Sequence, residues 1–211
     1  MWISSFKPNG TLAVRPNDPS AHRRLDESQG VGAFGVKLFL ASLSFLFAAS
    51  ILLYLILLVP AEKPEMAILP VVGAGLGVAT LVMLASSFTY ARALKAIRSD
   101  DRGRFARLMR WTFGLGLAFM IAQSINWAQL FSAGLPIDAE NRHSGFFLVL
   151  TVLHALHVVG GLIPLGVVTR RAGRGDYTST HYEGVANVAL YWHFLDVVWV
   201  LMLVAIVAVS A

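Results

Sequence analysis

Five long stretches without lysine or arginine divide the chain: Leu38 to Val59, Met66 to Ala91, Trp111 to Ile137, Ser144 to Thr169 and Gly184 to Ala211. At about 1.5 Å per residue, each is long enough to cross a hydrocarbon core of about 30 Å as a helix. The apolar residues run on continuously rather than alternating. A β-barrel, the other backbone solution in lipid, would need short alternating segments. The pattern therefore predicts an all-α integral membrane protein, a bundle of five transmembrane helices. One membrane domain, residues 31–211, follows a polar tail, residues 1–30. No repeat of roughly 20 to 50 residues is visible.

Composition agrees with this division, at 56% hydrophobic and 14% charged residues over 211 positions. The placement of charge adds an orientation. Of 17 lysines and arginines, all but Lys63 and Arg142 fall in the tail and start of the first span, in the second connection, or in the fourth. Lys7, Arg15, Arg23, Arg24 and Lys37 make up the first group. Arg92, Lys95, Arg98, Arg102, Arg104, Arg107 and Arg110 make up the second, and Arg170, Arg171 and Arg174 the third. Basic residues beside spans stay on the cytoplasmic side, so the N-terminus is expected inside and the C-terminus outside. Topology and anionic headgroups account for the basic surplus, and no nucleic-acid partner is assigned to it. The tail carries Pro8, Pro16 and Pro19 and lacks the apolar core of a cleaved signal. It is read as a mobile cytoplasmic tail, with Trp2, Ile3 and Phe6 as the alternative, a patch that packs on a partner. The chain has no cysteine, so it carries no disulfide or redox signal.

The polar residues inside the spans are the candidate chemistry. His193 and Asp196 stand at i, i+3 in the fifth run, which holds no other acid or base of the Asp, Glu, His, Lys or Arg kind. An isolated charge at that depth costs roughly 3 kcal/mol or more, so the pair must be matched, neutralised or buried against protein. In the fourth run His154 and His157 share a face, with Gly160 and Gly161 a turn further on. Small residues admit a neighbouring helix, as do Gly73 and Gly77 in the second run and Gly114 and Gly116 in the third. Gln123, Asn126, Trp127 and Leu130 form a protein-facing stripe whose amides suit interhelical hydrogen bonds. His154 and His193 both fall near the midplane. If they met, two imidazoles would suit a haem iron, and with His157 and Asp196 a metal. A plain hydrogen-bonded cluster of neutral imidazoles is the preferred reading.

The run Tyr191-Trp192-His193-Phe194-Leu195-Asp196-Val197-Val198-Trp199 resembles the last-helix signature of subunit III of haem-copper cytochrome oxidases. Phe146-Phe147-Leu148-Val149-Leu150-Thr151, followed by His154, His157, Val158 and Gly161, resembles that family's paired-histidine helix. Ser86-Ser87-Phe88-Thr89 and Ala93, then Leu115, Gly116, Phe119, Gln123 and Trp127, are similar to its second and third helices in the short form. Gly35, Phe39-Leu40-Ala41-Ser42 and Tyr54 are similar to its first. The likeness covers roughly residues 35–205.

It implies the short five-helix bacterial form, a multi-pass protein of the inner membrane. It also implies no cofactor in this chain, with haem and copper in partner subunits I and II. The implied role is accessory: packing beside subunit I, holding phospholipid, and supporting proton uptake and durability during oxygen reduction. The catalytic work belongs to the cytochrome c or quinol oxidase complex, not to this chain. His154, His157, Trp192, His193 and Asp196 are then struts or lipid-cleft residues, and no residue is catalytic or metal-binding. Two departures stand out. The family's glutamate after the first-helix serine is Leu43 here, and its glutamate before the third-helix tryptophan is Asn126. Roles of those acids are not carried over, and the departures keep an accessory protein of nitric oxide reductases as an alternative. A small transporter or proton conductor is a further alternative, although no inverted repeat is visible and Pro164 interrupts its span only near the end. The sequence has no nucleophile-base-orienter set, phosphate loop or HExxH zinc motif.

Overall fold

The computed structural model describes the backbone of residues 19–58, 69–134 and 142–210, and the side chains of 34–58, 69–134 and 144–210. Five helices fill it: α1 (Pro19–Leu58), α2 (Leu69–Arg98), α3 (Arg102–Ser132), α4 (Arg142–Arg174) and α5 (Glu183–Ser210). All five are long and apolar enough to cross a membrane. The helices overrun the predicted spans where charge marked a boundary. α3 begins at Arg102, not Trp111, and α2 continues from Ala91 to Arg98, whereas the uncharged end of α3 falls short, at Ser132 rather than Ile137. Lysine and arginine are good helix formers, so a charged boundary marks the edge of the lipid rather than the end of the helix. α1 likewise starts at Pro19, within the segment expected as a tail. Proline suits a first helical turn because its missing N–H has no partner to lose there. The possible contact patch Trp2, Ile3 and Phe6 lies outside the described residues, as do Lys63 and the side chains of Arg23, Arg24 and Arg142. α4 runs through Pro164 without ending.

Residues from Leu40 onward form one compact unit. Its interhelical hydrogen bonds give the topology directly. Thr80 bonds Trp199, Ser86 bonds Trp192, and Tyr90 bonds the carbonyl of Val185, so numbering rises on α2 as it falls on α5. The same opposition holds between α3 and α4, where Trp127 bonds Thr151 and Thr169 bonds the carbonyl of Met109. α2, α3, α4 and α5 therefore form an antiparallel ring in which α5 returns to lie beside α2. α1 buries a single seam, Leu43, Phe47, Tyr54 and Leu58, and leaves Phe45, Leu52, Leu53 and Ile56 exposed. That narrow stripe at i, i+4, i+11 and i+15 is the mark of a helix touching its neighbours along one side.

The helix ends explain the tight hairpin between α2 and α3. Asp100 takes a left-handed φ of 56°, and the amides of Asp100 and Asp101 close back on the carbonyls of Ile97 and Ala96. This stops α2 with its last carbonyls satisfied. Asp101 then caps α3, accepting from the Arg104 amide at 3.0 Å. Gly175, at φ 79°, ends α4 in the same way. The Ser179 amide donates to the Asp100 carboxylate at 3.2 Å, which places the two basic connections at one end of the bundle, as the charge pattern requires. Arg102 holds the same carboxylate, at 3.4 Å. These contacts keep the Asp100 carboxyl below its ordinary range, the hydrogen bond from Arg102 contributing most.

Candidate functional site

The residues singled out in the sequence fall into separate groups. No hydrogen bond, ion pair or ring contact between described residues joins His193 and Asp196 to His154 and His157. His154 and His193, which could have met on depth alone, have no such contact among the described residues, because the two side chains leave their helices in different directions. His193 turns to α2, and His154 enters a ring of aromatics. Among the described residues no set of three or more His, Asp or Glu side chains converges as a metal site would.

The first group is a seam between α2 and α5. Trp192 and Trp199, seven residues apart, donate from their indoles to Ser86 at 3.1 Å and Thr80 at 3.0 Å. Between them the Nδ1 of His193 meets the Ser87 hydroxyl at 2.6 Å. The Ser86 hydroxyl passes the connection on to α3 by donating to the Thr112 carbonyl at 3.3 Å. Each such bond in a membrane bundle contributes roughly 0.6 kcal/mol, up to about 1.7. Asp196 is buried behind this seam, 3.6 Å from His193 Nδ1, and neither carboxylate oxygen has a hydrogen-bond partner among the described residues. The acid is thus covered by protein, with the His193 imidazole as its one ion-pair neighbour among the described residues.

The second group surrounds α4. His154 is fully buried among Phe47, Phe119 and Trp199, with ring centroids 6.0, 6.1 and 5.4 Å away. Both of its ring nitrogens lack a hydrogen-bond partner among the described residues. Phe119 stands at 87° to it, an edge-to-face contact. His157 is partly exposed, and its Nδ1 lies 2.7 Å from the Leu153 carbonyl, which fixes that nitrogen as the protonated one. The Tyr191 hydroxyl donates to the His157 carbonyl at 2.9 Å, tying α5 to α4.

The amides expected to bond across helices are joined to each other within α3, and only Trp127 of that stripe hydrogen-bonds to a neighbouring helix among the described residues. Gln123, Asn126 and Leu130 are buried, Asn126 donates to Gln123 at 3.3 Å, and Trp127 donates to Thr151 at 3.1 Å. The glycines divide differently from their prediction. Among the described residues a Cβ on Gly73, Gly77 or Gly114 would meet nothing on another helix, whereas one on the exposed Gly160 would lie 3.8 Å from the Tyr191 hydroxyl of α5. The close approaches are at Gly116, against Leu162 and Trp192, at Gly161, against Tyr191 and Leu195, at Gly166, against Phe113, and at Gly75, whose absent side chain leaves room for the Asn126 amide. Sequence reasoning passed over Gly75 and did not read Thr80, Ser86, Ser87, Thr112 and Thr151 as hydrogen-bond partners. A usable signal existed: Thr80 and Ser86, six residues apart, and their partners Trp199 and Trp192, seven apart, each repeat at close to two helical turns, the spacing of residues on one helix face. Leu43 and Asn126, which replace expected glutamates, are both buried.

Residues 22–210 match the family model described as cytochrome c oxidase subunit III. Cytochrome c oxidase subunit 3 of Synechocystis sp. is 34% identical over 181 residues, covering 82% of this chain and 73% of that protein. Probable cytochrome c oxidase subunit 3 of Mycobacterium tuberculosis is 37% identical over 130 residues, covering 60% of this chain and 62% of the relative. The subunit 3 of Thermostichus vulcanus is 36% identical over 125 residues, 58% of this chain and 60% of the relative.

Proposed function

This chain belongs to the cytochrome c oxidase subunit III family, and from that premise we propose that it serves a respiratory haem-copper oxidase without catalysing the reaction itself. It packs beside the catalytic subunit I, in a complex that also contains subunit II, and those partners hold the haem and copper. It keeps phospholipid against the complex and supports proton uptake and durability during oxygen reduction. The N-terminus and both basic connections face the cytoplasm, and the host membrane is a bacterial inner membrane. His154, His157, Trp192, His193 and Asp196 act as struts, and Gln123, Asn126 and Trp127 as a helix-packing stripe.

The observation that carries this reading is the use made of the segment richest in chemistry. Trp192, His193 and Trp199 are each engaged by a hydroxyl of α2, an arrangement suited to bracing rather than to holding a reacting group. Purification from membranes in mild detergent, followed by native mass spectrometry and an absorption spectrum, tests it. The chain is expected to travel with haem-bearing subunits and to release from them without haem. A homo-oligomer free of such partners would favour a transporter instead, and haem retained on the released chain would refute the non-catalytic role.

A further inference from the structure

His193 lies ten residues beyond Glu183, the start of α5, so about 15 Å along the helix and close to the middle of the membrane. Its side chain is 36% exposed. The surface around it is aliphatic: Leu190 and Val197, at i−3 and i+4 on the same face, are exposed, as are Leu84 and Ala91 on either side of Ser87. Ser87 engages Nδ1, and no described residue hydrogen-bonds to Nε2. Lipid tails offer no hydrogen bond at that depth, and an unmatched polar group there is costly. The outer face of α3 reads quite differently. Leu117, Ile121 and Ile125 are exposed, and the Ser124 hydroxyl is already satisfied by the Met120 carbonyl at 2.9 Å. That surface is fit for lipid, whereas the His193 surface is not.

We propose that the face of α5 and α2 centred on His193 is where this chain receives a transmembrane helix of the haem-bearing subunit, which meets Nε2 with a hydroxyl side chain at the bilayer midplane. The hydroxyl follows from the imidazole's chemistry. If Ser87 donates to Nδ1, Nε2 carries the proton and needs an acceptor. If Nδ1 is the donor, Nε2 needs a donor. A hydroxyl serves both tautomers, while a backbone carbonyl serves only one. The inference rests on the subunit reading above and adds to it the face and the contact.

Photo-crosslinking residues placed at Leu190 or Val197, and for comparison at Ile121 or Ile125, test the face in the intact complex. Coupling to the haem-bearing subunit is expected about tenfold more strongly from the α5 positions, and Val197→Trp should lower the retained haem per chain by about tenfold, equivalent to about 1.4 kcal/mol of association. Ile125→Trp should leave it unchanged. Because Val197 is exposed, its tryptophan variant should unfold like the wild type once separated. His193→Gln, which keeps a donor and an acceptor, should retain the partner, and His193→Leu should lose it. A haem-bearing subunit that co-purifies but couples from α3, equally from both faces, or not at all would overturn the proposed face. Absence of any haem-bearing partner would overturn the subunit reading and this inference with it.

Discussion

Replacing Gly116 by alanine, with Gly114→Ala as its partner experiment, isolates what close packing contributes at the centre of the bundle. Both glycines lie in α3, two positions apart, and neither has a positive φ. Alanine should therefore strengthen the helix equally at each, by up to about 1 kcal/mol. The surroundings differ. A Cβ at Gly114 meets nothing within 4 Å, whereas at Gly116 it would stand 2.9 Å from Leu162 Cδ2 and 2.9 Å from Trp192 Cη2. The indole has little freedom to yield, since it is fully buried and its nitrogen is held by Ser86, itself bound to the Thr112 carbonyl. Overpacking costs about 1–3 kcal/mol, and yielding of the ring would add the loss of roughly 0.6 kcal/mol per interhelical bond. The helix gain offsets only part of this. Gly116→Ala should come out about 1–3 kcal/mol less stable than Gly114→Ala, because the propensity gain cancels between the two. Equilibrium unfolding of the purified chain in mixed micelles, followed by tryptophan fluorescence, reads the difference. Equal stability of the two variants, or a more stable Gly116→Ala, would refute the packing argument.

Other expectations follow from the same geometry. Asp196→Ala or His193→Ala should lower the yield of assembled complex several-fold, with haem per assembled core unchanged in its absorption spectrum; selective haem loss from intact complexes would contradict the strut role. Leu43→Glu places an acid in the buried seam of α1 and should cost several kcal/mol in the same unfolding assay, a buried charge without a partner being the most expensive substitution available there; unchanged stability would mean that the seam admits water. The tie between the two basic connections should depend on acid. Asp100 is held below its ordinary value of 3.8 in the folded loop, so its contribution is complete above that pH and is lost as the pH falls through the lower folded value. Hydrogen exchange at the Ser179 amide should accelerate over that range, and Asp100→Asn should exchange fast already at neutral pH; pH-independent protection in the wild type would disprove the link.

Much of the architecture was legible because lipid imposes it. Each of the five spans had to be helical and apolar, and the basic connections had to share an end, which the Asp100–Ser179 bond bears out. Helix ends were less legible, since Arg102 to Arg110 continue α3 beyond the hydrocarbon without any cost to the helix. Although the bond between the two amides stays within α3, the shared buried face of Gln123, Asn126 and Leu130 was readable from its spacing. The His154 and His193 relationship was not. Depth along a helix follows from counting residues, but the direction of a side chain around the axis depends on which neighbour lies there, and the ring order of α2 to α5 is not written in any one span. Gly75 escaped for a related reason: only the Asn126 amide on α3 gives it a purpose.

The most direct measurement is on the oxidase from which this chain has been stripped in detergent, compared with the intact complex for haem content and for the number of turnovers before activity is lost. An accessory brace predicts unchanged haem per catalytic core and full initial turnover, followed by earlier inactivation that rebinding of this chain reverses. Loss of haem in proportion to the chain removed, or a stripped core as durable as the intact complex, would contradict it.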